Sequence, residues 1–188
     1  MQLNIQNNFP AVAQALARLQ REVADKVTAR ALNATVAQAR TAMSKAIRDE
    51  YAVNTGFLKD RLVVRKASFR NGQVRLTAEL IGGDGKKRSA NLIHFSARQT
   101  GLGVSVKVKK AGSRKLLKGA FIGNSGRTVF KRVGDKRLPI KPGQTVDVPQ
   151  MFQTKKVNAQ VVRLIEEKFP TIFTRELQYA LGNFRRGA

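Results

Sequence analysis

The chain contains no cysteine and no tryptophan, a single histidine, and only 12 acidic residues among 188. Each shortage closes off some chemistry. Without thiols there is neither a disulfide framework nor a zinc–thiolate site. With His94 as the only imidazole, no histidine pair exists to relay protons or hold a metal, and its place in the apolar run Asn91-Leu92-Ile93-His94-Phe95 reads as structural. Between residues 61 and 146 the only acids are Glu79, Asp84 and Asp135, and the last two lie in Gly-containing loops, where they set turns. No catalytic, cofactor-binding or metal-ligating set emerges. Aromatics make up 6% of the chain, and few lie among the basic residues, so stacking of single-stranded bases has little support. No stretch approaches the roughly 20 apolar residues of a membrane span. The opening MQLNIQNNFP lacks the basic and apolar regions of a secretory signal, and assembly in the cytoplasm fits.

What is present in excess is positive charge. Lys and Arg number 36, for a formal net charge of +24. Such a chain repels itself and is expected to work beside a polyanion: nucleic acid, an anionic membrane, or acidic protein. The charge is concentrated. Residues 1–60 carry 8 basic and 5 acidic residues, residues 61–146 carry 21 and 3, and residues 147–188 carry 7 and 4. The middle is basic and the ends are nearly balanced.

Periodicity divides the chain the same way. At the N-terminus Asn7 and Asn8 offer a cap, and Pro10 fits a first helical turn. Val12, Leu16, Leu19, Val23 and Val27 then recur at helical spacing, followed by Ala29, Ala31, Ala34, Ala37, Ala39, Ala42 and Ala46, which favour helix and close approach of another backbone. Asn54-Thr55-Gly56 breaks this pattern before a short helical turn over 57–62. The middle reads as β. Residues 61–68 and 73–81 flank the turn pair Asn71-Gly72, with Val74, Leu76, Ala78 and Leu80 on one face. Residues 90–95 form an apolar strand. Val104, Val106 and Val108 alternate inward, against Lys107 and Lys109 outward. Residues 120–122 and 127–133 form a hairpin around Gly123-Asn124-Ser125-Gly126, and 138–140 and 146–148 are short extended pieces. Helix returns with Val157, Val161, Leu164, Ile165 and Phe169, is kinked or broken at Pro170, and resumes with Leu177, Ala180 and Leu181 on one side. The expectation is an α+β fold in one domain: 1–60 helical, 61–149 basic and antiparallel β-rich, 150–188 helical.

Three basic clusters are the candidate contact residues. They are Lys86, Lys87 and Arg88; Lys107, Lys109, Lys110, Arg114, Lys115 and Lys118; and Lys131, Arg132, Lys136 and Arg137. Each can bind phosphates by releasing counterions, or clamp an acidic protein face. A solvated charge run usually mixes signs, and these hardly do. Gly82-Gly83-Asp84-Gly85-Lys86-Lys87 superficially resembles a phosphate loop but lacks its Gly-Lys-Ser/Thr spacing, and no helix follows. Neither a zinc-finger pattern nor a helix-turn-helix is present, so sequence-specific base reading is not expected.

Three stretches, taken in order and spacing, carry a family likeness. The first is Ala31-Leu32-Asn33 with its alanine-rich sequel. The second is Leu92-Ile93-His94-Phe95-Ser96-Ala97-Arg98-Gln99-Thr100, leading into Gly103-Val104-Ser105-Val106. The third runs from Gly119-Ala120-Phe121-Ile122 through Gly126-Arg127, Lys131-Arg132 and Leu138-Pro139-Ile140 to Val148-Pro149-Gln150-Met151, and ends at Arg175-Glu176-Leu177-Gln178-Tyr179-Ala180-Leu181. In these the chain resembles the minor tail protein Z family of lambda-like phages and prophages, the tail completion proteins. The resemblance implies a structural, non-enzymatic virion protein acting at the head-proximal end of a long tail. Its partners would be copies of itself in a hexameric ring, the tail terminator and tail tube, head connector proteins, and DNA in the channel, with no membrane involved. A free nucleic-acid-binding protein, a nuclease and the tail terminator itself are the rival readings.

Overall fold

A computed structural model describes residues 9–70, 73–83 and 89–186; the predicted Asn7/Asn8 cap, the Asn71-Gly72 turn and the Lys86-Lys87-Arg88 cluster lie outside them, as do the side chains of Val12, Leu16 and Leu19. The fold is α+β, with helices at both ends and small antiparallel sheets between them.

Helix α1 (Phe9–Glu50) is 42 residues long, about 63 Å at the helical rise. Its buried stripe runs through Val27, Ala31, Thr35, Val36, Ala39, Met43, Ala46 and Ile47, at the three- and four-residue steps of one face. Thr35, polar and buried, returns its hydroxyl proton to the Ala31 carbonyl. The stripe packs mainly on α4 (Lys155–Arg186), where Val157 and Val161 join its apolar cluster. The sequence shows the alanines but not their partner, which lies more than a hundred residues away. Pro170 withholds one hydrogen bond inside α4 without ending it. Leu177 and Leu181, predicted on one side of this helix, are exposed, and so is Tyr179.

Asn54 caps α2 (Thr55–Lys59) by accepting from the Phe57 amide. Two ladders follow. β1 (Leu62–Arg65) pairs with β4 (Glu79–Gly82), and β2 (Ser68–Arg70) with β3 (Gln73–Arg75). Their registers differ by one residue, so the predicted hairpin is interrupted in the middle rather than continuous. Of its expected apolar face only Ala78 and Leu80 turn inward, while Val74 and Leu76 are exposed.

The next stretch departs from expectation. Residues 90–95 are not one strand: β5 (Ala90–Asn91) gives way to a 3-10 turn, Leu92–His94. Asn91 is the cause. Its Oδ1 accepts from the Ile93 amide, bending the chain, and also from the Val129 amide, while its Nδ2 donates to the Val129 carbonyl. Two three-stranded sheets come after it: β6 (Arg98–Thr100), β7 (Gly103–Val106) and β8 (Lys115–Lys118), then β9 (Ala120–Gly123), β10 (Thr128–Arg132) and β11 (Ile140–Pro142). The 120–133 hairpin forms as predicted, Gly123 opposite Thr128, with Asn124, Ser125 and Gly126 all at positive φ. Strand β12 (Gln144–Thr145) closes on β5. Val148, expected to be extended, instead opens α3 (Val148–Phe152). A capping box explains this, since Asp147 accepts from the Gln150 amide and Gln150 accepts from that of Asp147.

Two apolar clusters result. The larger joins α1, α2, α3 and α4 around Met43, Ile47, Leu58, Leu62, Phe95 and Met151. The smaller, Leu92, Val104, Val106, Ala120 and Val129, lies between the two three-stranded sheets. Val108 touches both. A second asparagine clamp ties the helices to the β region: Asn33 donates to the Ala67 carbonyl at 3.0 Å and accepts from its amide at 2.8 Å. Asn33→Ala leaves both backbone groups of buried Ala67 without partners and is expected to cost about 2–4 kcal/mol. Asn33→Asp, which keeps the acceptor, is expected to cost less than Asn33→Ala. Urea unfolding of the variants side by side checks the order.

Candidate polyanion-binding surface

His94 has a structural setting. Its ring stacks on Phe57 with centroids 4.2 Å apart, and the Arg61 guanidinium covers the other ring of that pair, 4.5 Å from the Phe57 centroid. Burial first, and the nearby Arg61 charge second, hold its pKa below the usual 6.5. A depressed histidine stabilises the fold as the neutral form. That stability is present above the unfolded pKa and is lost as pH falls through the folded one. Urea midpoints are therefore expected to fall on acidification below about pH 6.5, and His94→Phe is expected to flatten that part of the profile. No group of acids and histidine able to hold a metal occurs among the described residues.

The basic middle is distributed by the strands. In the long cluster, Lys107 is half-buried, with its amide bonded to the Phe95 carbonyl. Lys109 bridges to Tyr51, and the Lys110 amide donates to Glu50, so both backbones are pinned to the end of α1 while their side chains are exposed. Arg114 is engaged within the fold. It donates to Ser105 Oγ at 2.9 Å, to the Ser105 carbonyl at 3.0 Å, and to the Ser96 carbonyl, which fastens the 107–114 loop across β7. Lys115 and Lys118 sit three apart on β8 and so face opposite sides of the sheet. Lys118 shares the outer face with Leu116 and Arg98, and Lys115 lies opposite Val106. The run that looks contiguous in sequence is thereby divided.

The third cluster is divided in the same way, with consecutive Lys131 and Arg132 on opposite faces of β10. Lys131 and Arg132 end β10, and Lys136 and Arg137 follow in an exposed turn. Arg132 lies over the Phe121 ring at 5.0 Å, beside the Phe121–Phe130 pair. The structure adds Lys141, which sequence reading missed. It is directly opposite Lys131 across the β10–β11 ladder. Like charges so placed destabilise a sheet, and neither lysine is paired with an acid among the described residues. The ten candidate positions within the described residues thus separate into two engaged arginines, Arg114 and Arg132, and eight lysines and arginines without an ion pair.

The family model for prophage minor tail protein Z (GPZ) matches residues 10–186. The chain belongs to this family. No curated protein and no solved structure matches it. Membership in the minor tail protein Z family gives a structural role in the phage tail, a place in the virion tail, and contact with other virion components. No helix among the described residues is long and apolar enough to cross a membrane. The stretches that carry the family likeness fall on structural joints. Ala31 is fully buried and Asn33 clamps Ala67. Gln99 accepts from the Ile122 amide and donates to the Gly103 carbonyl, tying one sheet to the other. Val148-Pro149-Gln150-Met151 is a capped helix start with Met151 in the core.

Proposed function

We propose that this minor tail Z protein completes the tail at its head-proximal end, where a hexameric ring of copies joins tail to head and holds the end of the genome. It acts as one tail-completion unit across residues 1–188 and is not an enzyme. The β-rich middle forms the ring body. Its basic surface meets DNA in the channel or acidic faces of the tail terminator, tail tube and head connector. The helices supply head-to-tail subunit contacts of the kind that close rings, and the exposed Leu177, Tyr179 and Leu181 of α4 are available for them. The protein is made in the host cytoplasm and ends in the neck of the virion.

The observation that carries this reading is the segregation of charge. Residues 61–146 hold a net +18, and the two helical ends hold +3 each. Copies can therefore approach through helices without bringing their strongest like charges together, and the basic middle is left for a polyanion. Holding DNA in this way needs many phosphate contacts and no base reading.

The test is to stop translation of this gene in its parent phage, induce, and examine the lysate by electron microscopy and plaque assay. Normal heads and tails that join unproductively, with loss of infectivity, are expected. Normal particles with full infectivity would overturn the proposal in favour of a free nucleic-acid-binding protein. Tails of uncontrolled length would point instead to the terminator.

A further inference from the structure

We infer that a second phosphate-binding site, separate from the basic sheets, lies in the groove between α1 and β2, and that its ligand is the sugar–phosphate backbone of DNA. The groove has a volume of about 670 Å³ and is lined by Lys26, Arg30, Lys66, Ser68 and Phe69 over a floor of Ala29, Asn33 and Ala67. Three cations converge there and no acid lines it. None of the three forms an ion pair among the described residues.

The fold holds these charges together on two fixed supports. Lys26 and Arg30 are one helical turn apart on α1, about 5–6 Å between their Cβ atoms. Lys66 comes from the β1–β2 connection, brought alongside by the two Asn33–Ala67 hydrogen bonds that form the groove floor. Lys26 is further steadied over the Phe69 ring, 5.2 Å from its centroid. The separation of the cations is thus set before any ligand arrives, which reduces the ordering cost of binding.

The lining favours nucleic acid over an acidic protein. A protein interface needs an apolar centre to anchor it. Here the one large apolar ring already carries an ammonium, and Ala29 and Ala67 are buried. Another groove, between α1 and α4, is the opposite in kind, lined by Leu32, Val36, Leu80, Ile165, Phe169 and their neighbours. A backbone phosphate asks only for cations and hydrogen-bond donors in an open channel.

The inference rests on the DNA part of the proposed function, and the experiment separates the two. Binding of a short DNA duplex of arbitrary sequence is measured against salt for the full chain, for Lys26→Gln/Arg30→Gln/Lys66→Gln, and for a variant with glutamine at Lys131, Lys136, Arg137 and Lys141. Removing the groove cations is expected to lower the slope of log affinity against log salt by about 2–3 units, with the melting temperature reported alongside to confirm folding. If melting shows that Lys26→Gln loosens Phe69, Arg30→Gln/Lys66→Gln alone is expected to lower the slope by about 1.8 units. An unchanged slope in the groove variant, while the sheet variant loses its own, overturns the groove and leaves the sheet surface standing. No DNA binding by the unaltered chain overturns both. A groove variant that keeps its DNA slope but loses binding to polyglutamate assigns the groove to an acidic protein and overturns the inference.

Discussion

Replacing Lys131, Lys136, Arg137 and Lys141 together by glutamine is expected to lower the slope of log DNA affinity against log salt by about 3–4 units, the loss of roughly one released counterion per cation. The four lie on β10, the turn after it and β11, all exposed and without an ion pair among the described residues. Lys107, Arg114 and Arg132 are expected to matter less for binding. Lys107 is half-buried, Arg114 holds the 107–114 loop to Ser96 and Ser105, and Arg132 lies on Phe121. Substituting Arg114 is expected to lower stability more than affinity. A single substitution sharpens the point. Lys141→Glu converts the repulsive pair with Lys131 into an attractive one across the same ladder. It is expected to raise the melting temperature by about 1–3 °C while weakening DNA binding. A cation kept only for solubility would show no such opposition, because its reversal would leave the salt slope untouched. Fluorescence anisotropy across a salt series and thermal melting of the same samples decide it.

The opposition also shows what was legible in the sequence. The net +18 of residues 61–146 and the absence of catalytic sets are plain from composition, and so is the alternation of Val104, Val106 and Val108. Which cations share a face is not. Strand pairing decides it, and the partner of Lys131 is ten residues along, beyond a turn whose geometry composition does not specify. Lys115 and Lys118 look like neighbours in sequence but face opposite sides of β8. The α1 groove was invisible for the same reason: Lys26 and Arg30 belong to a nearly balanced segment, and Lys66 joins them only through the fold. Helices were read more reliably than strands because their signals are local. Where the reading failed, at 90–95 and 146–148, a polar side chain redirected an apolar run. Asn91 bonded forward to Ile93 and across to Val129, and Asp147 bonded to Gln150. Hydrophobic periodicity carries no record of such hydrogen bonds.

Gly103→Ala is expected to cost about 3 kcal/mol or more, a fall of roughly 6–12 °C in melting temperature for a chain of this length. Gly103 opens β7 at φ 148, a backbone conformation that L side chains rarely adopt. A Cβ there would also overlap the carbonyl oxygen of Leu117, on the strand paired with β7. The two penalties act together, and a second glycine gives a milder case for comparison. Gly119 has φ 70 and open space around its Cβ position. Gly119→Ala should therefore show the backbone strain alone, about 1 kcal/mol. The excess at Gly103 combines its more restricted backbone conformation with the close approach of β8 to β7. That closure has a functional consequence. It seals Val104 and Val106 into the smaller core, places Lys118 on the outer face, and sets Ser105 where Arg114 reaches it. Forcing β8 away from β7 disturbs the core and the basic surface together, so Gly103→Ala is expected to weaken DNA binding although it removes no charge. If thermal melting of the two alanine variants gave equal losses, the tight β7–β8 contact would carry no special energy, and the placement of the basic side chains would have to depend on something other than this strand pair.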